Sequence, residues 1–109
     1  MRKIQKISIQ KPFIIFCTFD NGENRVLNLE QILDKEHKYG KKVFKEEIFN
    51  TVKIGINGEL YWENIAEIMT FEGKFIPCEY DICPDFAYMN SKLISAEYKI
   101  NAYVFTVGS

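Results

Sequence analysis

Asn57-Gly58 is the pair that most constrains this chain, because it sits between two extended, β-prone runs, residues 51–56 and 59–63. An Asn-Gly step in that setting predicts a β-hairpin closed by a type I′ turn, which needs positive φ at both central residues. The turn dictates the register: Ile56 opposite Glu59, Gly55 opposite Leu60, Ile54 opposite Tyr61, Lys53 opposite Trp62. Val52, Ile54 and Ile56 then share one buried face with Tyr61. Leu60 and Trp62 fall on the other face, over the space left by Gly55. An aromatic beside such a gap is an anchor for a partner or is covered by the chain's own C-terminal segment. Leu60 and Trp62 are therefore the candidate partner-binding residues.

The rest of the chain reads as strands and short helices around that hairpin. Ile7 and Ile9 alternate with polar neighbours as in a short first strand. The run 13–19 (FIIFCTF) is apolar at every position but Thr18 and reads as a strand covered on both sides. Asp20-Asn21-Gly22 turns it back through Arg25-Val26-Leu27. Asn28 is placed to cap a short helix carrying Leu29, Ile32 and Leu33, with Gln31 completing a capping box. Gly40 is expected to end the charged segment after it. Phe44 and Ile48, four apart, fit one helical turn facing the core. Residues 65–71 read as a strand or one short helix, and strand, Glu72-Gly73 turn, strand is the preferred reading through residue 76. Pro77 marks an edge. Pro84 opens a helix of about two turns that ends near Asn90-Ser91, with Asp81 expected to accept its first backbone amides. Residues 97–107 (EYKINAYVFTV) alternate like a further strand. It is expected to join the chain's own sheet or to pair with a second copy in a homodimer. The expected fold class is α+β, a mainly antiparallel sheet built from hairpins with two or three short helices, in a single domain over residues 1–109. Residues 12–90 form its core and 91–109 a C-terminal β extension.

Charge and cysteine content narrow the function classes. The 109 residues carry fourteen basic and fifteen acidic groups, which leaves no global field to hold nucleic acid or an anionic membrane. Residues 1–53 hold eleven basic and seven acidic groups (+4), residues 54–109 three and eight (−5). Segment 35–45 contains five lysines, with three acids once Glu46 and Glu47 are included, and is weak as a nucleic-acid patch and ordinary as a solvated loop. Three cysteines are too few for a disulfide framework, and no signal peptide or membrane-spanning run is visible, so a cytoplasmic location is expected.

No residue pattern assigns a catalytic group. Glu79, Asp81 and Asp85 invite an acid–base or metal reading, but a calcium loop needs more oxygen ligands and a turn glycine. Cys78 and Cys83 lack zinc or thioredoxin spacing, and His37, the only histidine, has nothing to orient it against either thiol. No phosphate-cradling glycine loop, cofactor motif or paired histidines occur. Catalytic, metal-binding and cofactor-binding residues are accordingly given as none.

In order, the chain presents a D-N-G turn, V-L-N-L-E-Q-I-L, V-F-x3-I-F-x2-V, N-G-E-L-Y-W-E and P-C-E-Y-D-I-C-P-D-F-A-Y. Over residues 12–90 this resembles the domain-of-unknown-function 2442 family, small bacterial α+β proteins. Its marks are a tryptophan closing the second hairpin, here Trp62, and an acidic D-[IL]-[ST]-P stretch, here Asp81 to Pro84 with Cys83 in place of the hydroxyl residue. The resemblance implies an α+β fold and a partner in a two-protein, toxin–antitoxin-like arrangement, and carries over no catalytic residue. The leading expectation is a small protein-binding or regulatory module. The alternative is an enzyme using Glu79, Asp81 and Asp85, and the third a weak DNA-binding regulator.

Overall fold

The computed structural model describes residues 1–94. The strands are β1 (Ile4–Lys11), β2 (Ile14–Phe19), β3 (Asn24–Asn28), β4 (Lys53–Ile54), β5 (Leu60–Met69), β6 (Phe75–Ile82) and β7 (Lys92–Leu93). The helices are α1 (Leu29–Ile32), α2 (Gly40–Val43), α3 (Glu46–Phe49) and α4 (Pro84–Asn90). The fold is α+β, but its strands divide between two antiparallel sheets, ordered β1-β2-β3-β7 and β4-β5-β6. Residues 97–107, and with them the expected C-terminal strand or dimer contact, lie outside the described residues.

Three hairpins close in the same way. Phe19, Gly55 and Thr70 each donate their N–H to the carbonyl four residues on (Glu23, Glu59, Lys74; 2.9, 2.8 and 2.7 Å). In each, the loop's last residue is a glycine that donates back to the first (Gly22, Gly58, Gly73; φ 85°, 78° and 79°). This is a three-residue loop, a type I turn followed by a left-handed glycine bulge. It requires positive φ at the glycine alone, and Asn57 is not among the residues with positive φ.

The extra loop residue corrects the expected register. Lys53 pairs with Tyr61 and Ile54 with Leu60. Side chains alternate with period two, so a slip of one residue exchanges the faces. Ile56, expected in the core, is 96% exposed, whereas Leu60 and Trp62 are both 0% exposed.

Leu60, Trp62, Ile65 and Ile82 from the second sheet form one core with Ile4, Ile15, Cys17, Phe19 and Leu27 from the first. Leu29, Val43, Phe49 and Ala87 complete it from the helices. Trp62 donates its indole N–H to the Phe49 carbonyl at 3.1 Å, so its polar edge is satisfied inside. Phe13, after Pro12, adopts φ 70° in the β1–β2 turn, where its ring contacts those of Phe44 and Phe49 at 5.2 and 5.3 Å.

The local signals at helix ends fare differently. Asn28 accepts from the Glu30 N–H as expected of a cap. Gly40 opens α2 instead of ending the segment before it, and the His37 Nδ1 accepts the Tyr39 and Gly40 amides there (3.2 and 3.1 Å). Pro84 occupies the first turn of α4, but the residue before it is Cys83, with no side-chain cap, so Asp81 does not hold that helix start. Asp85 instead accepts the Arg2 backbone N–H at 2.7 Å. No helix among the described residues is long and apolar enough to cross a membrane.

Candidate interaction surface

The sequence-derived candidates do not assemble into a site. Leu60 and Trp62 are core residues, so the partner-binding surface inferred from the type I′ register is not formed by them. Glu79 and Asp81 lie two apart on one face of β6, while Asp85 is on α4 and holds the N-terminal backbone. No group of three or more His, Cys, Asp or Glu is placed to hold a metal ion among the described residues. His37 uses its Nδ1 on two backbone amides, which leaves that nitrogen unable to serve as a base.

What the fold does expose is the far half of the β5–β6 hairpin. β4 pairs only with Leu60 and Tyr61, so among the described residues the sheet narrows to two strands beyond Trp62. A bulge lies at this transition. Trp62 is opposite Tyr80 and Ala66 opposite Cys78, with Asn64 at φ 58° in the extra length of β5. Asparagine tolerates the left-handed region better than other non-glycine residues, and the bulge bends the strand away.

The resulting arm is apolar on both faces. Ile68 pairs with Ile76 on one side and Met69 with Phe75 on the other. They are 52%, 44%, 64% and 61% exposed, and Phe71 at the turn is fully exposed. Together they present on the order of 600 Å² of apolar surface, at the upper end of the largest patch on an ordinary monomer. The signal in the sequence is a run that abandons alternation (IAEIMTF, then FI) on either side of Glu72-Gly73.

Both edges of the arm are partly guarded. On the β5 side, Lys42 Nζ donates to the Ile65 carbonyl at 3.2 Å and the Tyr39 hydroxyl to the Glu67 carbonyl at 3.4 Å. On the β6 side, the Thr70–Lys74 bond sets the alternation, so the Glu67–Pro77 pair falls at a position where backbone groups point outward. Proline there supplies no N–H to an added strand. Both devices disfavour strand addition, so the faces and tip are the larger contact surfaces.

At the base of the arm, the second sheet holds an open groove of about 560 Å³ lined by Ile54, Ile56, Tyr61, Glu59, Glu63 and Glu79 among others. Glu59 is folded back onto the turn, where it accepts the Asn57 N–H at 3.0 Å, and Glu63 meets Lys53 Nζ at 2.9 Å. No protein-family model matches this chain, and neither a curated protein nor a solved structure matches it.

Proposed function

We propose that the protein is a protein-binding module whose contact element is the arm formed by the far halves of β5 and β6. One observation carries this reading: the arm exposes large apolar side chains on both faces, while side chains on one edge and a proline on the other guard part of its backbone. A strand pair that protects its backbone but not its side chains is suited to insertion into, or clasping by, another protein. The three free thiols fit a reducing, cytoplasmic setting, and the resemblance to the domain-of-unknown-function 2442 family supports a regulatory half of a two-protein system. The arm takes the role that the sequence alone gave to Leu60 and Trp62.

A photo-crosslinking side chain at position 71, compared with one at exposed Thr51 on the body, tests the reading in the native cell. The expected result is a discrete adduct from position 71 alone, competed away by the unmodified chain and lost in a Met69→Ser, Phe75→Ser double variant. Equal labelling from both positions, or an adduct indifferent to the double variant, would refute it.

A further inference from the structure

The chemistry of the arm's surroundings says what kind of partner it fits. Tyr61 is in register with Asp81, Glu67 with Pro77 and Met69 with Phe75. Period-two alternation along β6 therefore places Phe75, Pro77, Glu79 and Asp81 on one face. That face grades from the apolar tip into an acidic base, where Glu63 and Glu79 line the groove. Lys53 is the basic residue there and is already engaged with Glu63. Glu67, Glu79 and Asp81 make no ion pair among the described residues. Nucleic acid or an acidic peptide laid along this face would meet like charge at one end and apolar side chains at the other.

We infer that the arm receives a basic amphipathic protein segment, its apolar side chains over Met69, Phe71 and Phe75 and its lysines or arginines at Glu63 and Glu79. The inference rests on the arm being the contact element. Apolar cover supplies the buried area, and the carboxylates set orientation and partner choice. The groove at the base is wide enough to admit a long cationic side chain, whose stem would lie against Ile54 and Tyr61 with its charge at the rim. A second copy of this chain is a poorer occupant. Its basic excess lies in residues 1–53, where Lys42 and Lys53 are already spent on the chain's own Ile65 carbonyl and Glu63.

The test uses the full chain and a fluorescent synthetic Leu/Lys peptide of about 18 residues with helical apolar period, beside its Leu/Glu counterpart. Binding is followed by anisotropy at about 50 and about 300 mM salt. The Leu/Lys peptide is expected to bind at least ten-fold tighter than Leu/Glu and to weaken with salt. A Glu63→Gln, Glu79→Gln double variant is expected to lose about ten-fold and flatten the salt dependence, while the same charge change at Glu46 and Glu47 on α3 leaves affinity unchanged. Equal binding of both peptides, no binding of either, or no difference between the two Glu→Gln variants overturns the inference. Light scattering that shows a dimer dissolved by Glu63→Gln, Glu79→Gln also overturns it, in favour of a second copy. Phe75→Ser separates the levels. If it weakens both peptides equally the arm reading stands without the basic partner, and if it changes nothing the arm reading falls as well.

Discussion

Gly58 carries two separate demands. Its φ of 78° costs an L-residue about 1 kcal/mol or more. In addition, a Cβ there would stand 2.5 Å from Lys3 Cβ and 2.6 Å from Lys3 Cα, because the turn packs against the start of β1. Gly22 and Gly73 have the same backbone but open space around them. Gly58→Ala is therefore expected to lose roughly 3 kcal/mol in urea denaturation, against about 1 kcal/mol for Gly22→Ala or Gly73→Ala. Equal losses would show that the contact with Lys3 yields freely. Cysteine reactivity also sorts by residue. Burial pushes the Cys17 thiol up to about 12, whereas Cys78 is half-buried and Cys83 exposed. Two thiols per chain are expected to react with a disulfide reagent in the native state, and all three after denaturation.

At the scale of elements, local signals were legible where they depend on neighbours in sequence. The Asn28 cap, the Pro84 helix start and the Gly22, Gly58 and Gly73 turns all follow from backbone chemistry within a few residues. Loop length did not. Asn57-Gly58 suits a two-residue I′ turn and the last two places of a three-residue loop equally, and the choice between them decides whether Trp62 is inside or outside. Asp81 failed as a cap because it belongs to the outer face of β6, a fact of register and not of distance from Pro84. The exposure of the arm was hidden for a related reason: Ile68 and Phe75 look like core residues until the ends of β4 show that no further strand of the described residues pairs beside them. Pro77 then becomes the residue that guards the arm. Pro77→Val would restore an outward N–H on a long apolar edge. It is expected to raise the mass measured by light scattering at a given concentration relative to the parent chain. An unchanged mass would mean that Pro77 is not what protects the edge.

Across the whole molecule, long-range polar ties hold the pieces in place. Arg25 donates to Glu23 at 2.7 Å and to the Ser91 hydroxyl and carbonyl at 2.8 and 3.0 Å. Its guanidinium lies 4.3 Å from the Tyr88 ring centre, and the Tyr88 hydroxyl donates to Glu23 at 3.0 Å. This latch binds α4 and its C-cap Ser91 to β3 of the first sheet, and Ile4 N–H to Gly58 O (3.0 Å) ties the two sheets near the N-terminus. The Arg25 guanidinium, then the Tyr88 hydroxyl, hold the Glu23 carboxyl below its ordinary value. A depressed folded pKa gives stability that is present above the unfolded value and lost as pH falls through the folded one. The parent is therefore expected to be more stable than Glu23→Gln at neutral pH. Its urea midpoint should fall more steeply with acid until the two curves meet, and parallel curves would show that the latch does not need the charge. Among the described residues, neither this latch, the Ile4–Gly58 bond nor the buried core involves the arm beyond Ala66 or before Cys78. The tip is thus a stretch on which mutation can act with little penalty to folding. Lineages carrying this fold would be able to exchange partners by rewriting half a dozen side chains while the scaffold beneath stays under its own, separate selection.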